Sequence, residues 1–284
     1  MAISHHLRNA AVPHAITTAL ARSWLIRSAL SDEPFLGPTD RLVIDLEDSI
    51  LPTQKLSARE SLRGFLSDGR TAWVRVNDAR SGFWASDLEV IRSVSGVKGI
   101  VLSKTESAHQ VAETRRRLAC ALPIVALVET ARGIEKAAEI ASARGVTRIA
   151  FGSGDYRRDT GAADDTLAMA YPRSRLVVAS RLAGLPGPID GPSISTDVEA
   201  LSESCRQAAL LGMTGKLHLD ASQSGQINSA FSPSRAELEE ARAILREHGP
   251  SIQDASSPAR AAGAAALILR TIGLGVVGAD WAAE

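Results

Sequence analysis

A set of charged residues stands directly behind apolar runs, where a strand would end. Asp45, Glu47 and Asp48 close the run that begins at Arg41, Arg75 interrupts Ala72-Trp-Val-Arg-Val-Asn77, and Lys104 and Glu106 follow Gly99-Ile-Val-Leu102. Glu129 ends Pro123-Ile-Val-Ala-Leu-Val, and Asp155 sits in Phe151-Gly-Ser-Gly-Asp155. Acids in such positions suit a hard divalent cation. Mg²⁺ takes one or two protein carboxylates and completes its shell with water or substrate oxygens. A guanidinium inside an apolar run needs an acidic or anionic partner, either a bound carboxylate or a structural ion pair with Asp45 or Glu47. The acids have a second reading too, since Asp45 to Asp48 or Glu129 could cap a following helix. Gly154, beside Asp155, lets backbone approach a ligand closely. His218, between Leu217 and Leu219, reads as a satisfied interior group, and histidine-rich zinc chemistry has little support.

These residues need a scaffold that brings strand ends together. Further short runs, Trp24-Leu-Ile26, Thr147-Arg-Ile-Ala-Phe151, Gly187-Pro-Ile-Asp190 and Thr214-Gly-Lys-Leu-His-Leu219, extend the series. Each is too short for a helix and long enough for a buried strand. Most start about 24 to 31 residues apart with helix-like stretches between, the rhythm of strand–helix units and a parallel sheet. One such stretch, Glu129 to Ala141, predicts a helix. Seven or eight units favour a closed (β/α)8 TIM barrel over an open sheet, and no GxGxxG follows the first run. Ser232 to Leu245 reads as a helix with Ser232 as N-cap and Pro233 just inside. Gly249 to Pro258 reads as a linker and Ala261 to Ile272 as an apolar helix that needs a covering surface. The expected organisation is a barrel over residues 1–245, the first stretch frayed, and a C-terminal helical extension over 246–284, a candidate lid over its own or a neighbouring site.

Composition narrows the partners. The 284 residues are 45% apolar and carry 32 basic against 32 acidic side chains. This neutrality argues against nucleic acid or an anionic membrane as the main partner. No apolar run approaches a membrane span, and the first twenty residues lack a secretory layout, so a cytoplasmic protein is expected. Cys120 and Cys205 form no CxxC pair and read as two buried thiols.

Several segments together resemble the HpcH/HpaI aldolase/citrate lyase family, in its citrate lyase beta-subunit-like branch. They are Arg22-Ser-Trp-Leu25, Leu42-Val-Ile-Asp-Leu-Glu-Asp48 with Lys55 and Arg59, Val74-Arg-Val-Asn77, and Ile100-Val-Leu-Ser-Lys-Thr-Glu106. Ala126-Leu-Val-Glu-Thr-Ala-Arg-Gly133, Phe151-Gly-Ser-Gly-Asp155, Ile189-Asp-Gly191, Leu211-Gly-Met-Thr-Gly-Lys216 and Phe231-Ser-Pro-Ser234 follow in family order. The resemblance implies a (β/α)8 barrel, a homo-oligomer (trimer or hexamer), and Mg²⁺ held by Glu129 and Asp155. It also implies that Arg75 grips the carboxylate of a short 2-oxo or 3-hydroxy acid. Relatives cleave or form the carbon–carbon bond of thioesters of the citryl-, malyl- or citramalyl-CoA type, and some hydrolyse the thioester. On this reading Arg75, Glu47 and Asp45 are the catalytic set, and Arg75, Arg22, Lys104 and Gly154 contact substrate.

The chain departs from the family pattern in places. The glycine turn after the first strand reads Ile26-Arg-Ser-Ala29, Ser103 precedes Lys104 where relatives carry proline, and Asp220-Ala221 replaces a His-Pro pair. A lid motif survives only as Asp254 or the nearby Ser-Ser-Pro. The loop between Ile26 and Asp40 carries Asp32 and Glu33, with only Arg27 as a basic residue. Coenzyme A phosphates need basic or backbone N–H partners, so weak CoA binding, a carrier-bound thioester or a free acid is expected. The leading expectation is an Mg²⁺-dependent lyase. A thioester hydrolase or Claisen-type synthase and a non-catalytic paralogue are the alternatives.

Overall fold

The computed structural model describes residues 16–31, 37–193, 195, 197–247 and 257–275. Within the first of two compact units, Ala21–Ser229, eight parallel strands close into a barrel in chain order. They are β1 (Ser23–Ser28), β2 (Arg41–Asp45), β3 (Ala72–Val76), β4 (Val97–Leu102), β5 (Ile124–Val128), β6 (Val146–Phe151), β7 (Ile189–Asp190) and β8 (Gly215–His218), and β8 pairs with β1. Each predicted run became a strand, because strands covered on both faces read as unbroken apolar sequence.

The outer helices are α1 (Lys55–Ser67), α2 (Trp84–Ser93), α3 (Ala108–Leu118), α4 (Ala131–Glu135), α5 (Ala137–Ala141), α6 (Ser153–Thr160), α7 (Thr166–Leu182) and α8 (Val198–Leu210), with α9 (Ser224–Ala230) after β8. The helix expected over Glu129 to Ala141 is therefore two short ones, parted where Lys136 leaves helical geometry. Thr130 caps the first, its hydroxyl accepting from the Gly133 N–H at 3.1 Å. Glu129 is thereby not the cap. Nor do Asp45 to Asp48 cap a helix, since α1 begins only at Lys55.

The end of the barrel where strands begin is filled. Trp24 and Trp73 are buried edge to face, ring centres 5.1 Å apart. Arg148, fully buried, gives Nε to the Gly187 carbonyl at 2.9 Å and Nη2 to the Thr214 hydroxyl at 2.7 Å, with Nη1 on the Ala21 carbonyl. Gly99 has no side chain because a Cβ there would strike the Trp73 ring.

The second unit comprises the described parts of Met1–Leu20 and Ala230–Glu284. Helix α10 (Arg235–Glu247), placed with the barrel by sequence, belongs here. Its cap is Ser234 rather than Ser232: Ser234 Oγ accepts from the Glu237 N–H at 3.2 Å, and Glu237 Oε2 accepts from the Ser234 N–H at 2.7 Å. Pro233 precedes this reciprocal pair, which satisfies two backbone donors at once. Helix α11 (Ser257–Gly273) lays Ala264 and Ile268 against Ala241 of α10, so its apolar face finds its cover within the unit. Asp254 and most of the predicted linker lie outside the described residues, as do Asp32 and Glu33. Cys205 is buried, but Cys120 is exposed, just past the left-handed cap residue Ala119 that ends α3. Among the described residues, no helix is long and apolar enough to cross a membrane.

Candidate active site

The strand ends at the other mouth of the barrel surround a cavity of about 490 Å³, lined by Asp45, Asp48, Arg75, Glu129, Gly154 and Asp155 over an apolar floor of Ile26, Leu127 and Leu217. Strand register explains the first contact. Asp45, last in β2, lies directly beside Arg75 of β3. The two join in a fork, Nε to Oδ1 at 2.6 Å and Nη2 to Oδ2 at 2.8 Å. Asp45 also accepts the N–H groups of Glu47 and Ser49, so both its oxygens are used. Burial would raise the Asp45 carboxyl, but the adjoining Arg75 guanidinium holds it below the usual range. Burial likewise works against the charge of Arg75, and Asp45 keeps it above the ordinary arginine value. The structural ion pair is thus present. Nη1 of Arg75 is turned to Glu47 Oε2 at 3.4 Å and Asp48 Oδ2 at 3.8 Å.

Lys104 ties the rim together from an unusual backbone. Its φ of 48° is left-handed, a conformation that costs a non-glycine residue about 1 kcal/mol or more. This turns its N–H onto Glu129 Oε1 at 2.7 Å and its ammonium onto Glu47 Oε1 at 2.6 Å. The ammonium also lies 3.4 Å from Asp155 Oδ2 and 3.5 Å from Asp48 Oδ1. Beneath the loop, Lys55 donates to the carbonyls of Leu46 and Glu47 and to Asn77, each at 2.8 Å, which fixes where Glu47 stands.

Glu129 and Asp155 face each other's charge across the cavity. Burial first, then the charges of Glu47 and Asp155, push the Glu129 carboxyl up to about 8. Burial also raises Glu47, against the pull of Arg75 and Lys104. Gly152 is required here, since a Cβ on it would overlap the Glu129 carboxylate. Asp155 stands in the first turn of α6, where Arg158 one turn on pairs with its Oδ1. Its Oδ2 is buried and accepts no hydrogen bond. Five carboxylates (Asp45, Glu47, Asp48, Glu129 and Asp155) thus meet three cationic side chains (Arg75, Lys104 and Arg158). The surplus is two negative charges when all are ionised. Glu129 and Asp155 are the hard-oxygen pair that such a surplus offers a divalent cation. Among the described residues no cluster of three or more His, Cys, Asp or Glu side chains could hold a metal alone, and Mg²⁺ needs only one or two.

The structure therefore brings together Asp45, Glu47, Arg75, Lys104, Glu129, Gly154 and Asp155 as anticipated. Arg22 it places elsewhere. It precedes β1 at the filled end of the barrel, bound to Asp40 through Nε at 2.9 Å and Nη2 at 3.0 Å. Other charged residues near strand ends are bonded outside the cavity: Asp190 to Arg173 and Lys216, Asn77 to Asp87, and His218 to Thr39 and the Asp220 carbonyl. Sequence reading missed Arg158, although its spacing three residues past Asp155 on a helix places it on the same face.

A parallel (β/α)8 barrel with a charged pocket at its C-terminal rim is the architecture of a barrel enzyme. The sequence model of the HpcH/HpaI aldolase/citrate lyase family matches residues 26–221, and the chain belongs to this family. It is 32% identical over 240 residues to a citrate lyase subunit beta-like protein of Mycobacterium tuberculosis, covering 80% of this chain and 85% of that one. It is also 32% identical over 207 residues to a (3S)-malyl-CoA thioesterase of Cereibacter sphaeroides, covering 70% and 72%. Among solved structures, protein CitE from M. tuberculosis in complex with magnesium, acetoacetate and coenzyme A superimposes with a TM-score of 0.71 at 27% identity, covering 89% of this chain and 98% of that one.

Proposed function

We propose that this chain is an Mg²⁺-dependent carbon–carbon lyase acting on a short 3-hydroxy acid or its acyl thioester, of the citryl-, malyl- or citramalyl-CoA type. The carrying observation is the two-charge carboxylate surplus centred on Glu129 and Asp155, beside a guanidinium in a cavity sized for a small acid. Glu129 and Asp155 would hold the ion. When bound, Mg²⁺ supplies Lewis acidity for the hydroxyl that becomes a carbonyl and for the charge that develops on cleavage. The solved CitE complex with magnesium and acetoacetate supports this reading.

The chain's own residues divide the remaining work. Asp45 is a positioning residue: its oxygens are committed, and it holds the Arg75 plane so that Nη1 faces the cavity. That edge of Arg75 would receive the substrate carboxylate, a charge-assisted contact. Cleavage moves the C–C bonding pair onto the thioester α-carbon while the hydroxyl proton leaves to a base; the α-carbon then takes up a proton. Glu47, raised by burial and bonded to Lys104, is the group we assign to hold and return that proton. Lys104 keeps Glu47 in reach, and Gly154 leaves open space for the acyl chain. A homo-oligomer in the cytoplasm, with a lid from the C-terminal unit, belongs to the same proposal.

One observation favours a second reading, hydrolysis of the thioester: the (3S)-malyl-CoA thioesterase is as similar in sequence as the lyase-type relative. Incubation of the purified protein and Mg²⁺ with malyl-, citramalyl- and citryl-CoA, with product identification, separates the two. A 2-oxo acid or glyoxylate plus a shorter acyl-CoA marks the lyase, and free CoA plus the intact hydroxy acid marks the hydrolase. Neither product from any of the three removes both. Calorimetry with CoA, pantetheine thioesters and free 2-oxo acids tests the handle. CoA binding in the low micromolar range, about 8 kcal/mol, would contradict the weak affinity expected from the acidic loop.

A further inference from the structure

Helix α7 has two apolar faces. One packs inward through Met169, Leu176 and Ala179. On the other, Leu167, Tyr171, Val178 and Leu182 are 84, 55, 51 and 74% exposed. At 100° per residue these four, with the half-buried Ser174 between them, fall in one narrow stripe roughly 22 Å long. Large side chains aligned in this way mark an interaction surface more often than the single exposed residues of an ordinary surface do.

The stripe is symmetric about its own centre. Leu167 and Leu182 lie equally far from the midpoint between Ser174 and Arg175, and so do Tyr171 and Val178. An antiparallel copy of the helix would set Leu167 against Leu182, Tyr171 against Val178, and Ser174, the small residue, at the crossing where the axes come closest. That is the requirement of an interface about a two-fold axis, in which residue i meets j and j meets i. The charges agree. Asp164 and Asp165 precede the helix and Arg181 stands in its last turn, so an antiparallel pair joins unlike ends. We infer that two copies of this chain pair antiparallel through α7, closing a dimer or joining two trimers into a hexamer.

Sedimentation velocity on the full chain should give an even-numbered assembly. The double variant Leu167→Asp with Leu182→Asp should raise the dissociation constant of the two-fold contact about a hundredfold or more, leaving monomer or trimer. Both positions are exposed within one chain, so the circular dichroism melt should not change. Cysteine linking checks the pairing itself in a Cys120→Ser background. Leu167→Cys protein mixed with Leu182→Cys protein should form a disulfide between copies, whereas Leu167→Cys alone should not. An odd-numbered or monomeric wild type, an unchanged mass in the double variant, or Leu167→Cys linking to itself would each overturn the inference.

Discussion

The two ends of the barrel both bury charge, and they treat it differently. At the end where strands begin, each buried cation is answered: Arg22 forks onto Asp40, and Arg148 is enclosed by two carbonyls and a hydroxyl. At the end where strands finish, carboxylates outnumber cations, and one of them is pushed up to about 8. The first arrangement holds the fold together. The second is poorly suited to an empty fold and well suited to a cation and an anionic acid. Buried charge stabilises only when matched, so the surplus marks where the protein is built for something it does not itself contain.

Removing the surplus should have the largest effect. Glu129→Gln and Asp155→Asn should each lower Mg²⁺-dependent turnover by about a thousandfold and Mg²⁺ affinity by about a hundredfold. The melting temperature of the metal-free protein should not fall. Near-normal Mg²⁺ affinity by calorimetry in either variant would remove that residue from the site.

The opposite end should show the reverse pattern. Arg22→Ala leaves Asp40 buried and unpaired, so denaturant unfolding should show a loss of about 3 kcal/mol. Ligand affinity at the rim should stay as in the wild type. Weakened 2-oxo acid binding in this variant would return Arg22 to the substrate contacts.

Arg75→Lys falls between these extremes. A point charge cannot keep both the fork on Asp45 and an edge toward the cavity. Affinity for oxaloacetate or glyoxylate should drop about tenfold to thirtyfold, together with a smaller loss of stability. Unchanged titration curves would leave Arg75 with a purely structural part.

The gentlest test is pH. Glu129 must give up its proton to bind a cation, so Mg²⁺ affinity should weaken by about tenfold for each unit below pH 8. In the metal-free protein the folded state keeps this proton to about 8, whereas the unfolded chain releases it near 4.5. Stability should therefore decline as pH rises between those values, and Glu129→Gln should flatten that slope.

Much of this was legible in the sequence. Parallel strands announce themselves as unbroken apolar runs, and the acids behind them could be placed at one rim before any pairing was known. What one chain of letters cannot carry is register and direction. The Asp45–Arg75 fork spans thirty residues and depends on both strands ending level. Arg22 matched a family segment, yet a motif does not say which end of its strand a residue occupies. Helix starts shifted for local reasons: Ser234, not Ser232, could trade hydrogen bonds with Glu237, and Thr130 relieved Glu129 of capping.

The filled lower end has a kinetic consequence. With Trp24, Trp73 and Arg148 sealing the barrel from beneath, the pocket is a blind pit with a single doorway. Two fragments made inside it must leave in sequence through the route by which their parent came, the deeper one last. The fragment seated against Leu217 and Ile26 should then inhibit competitively with the whole substrate, and the outer fragment should not. Product inhibition would in this way reveal which part of the molecule reaches the bottom.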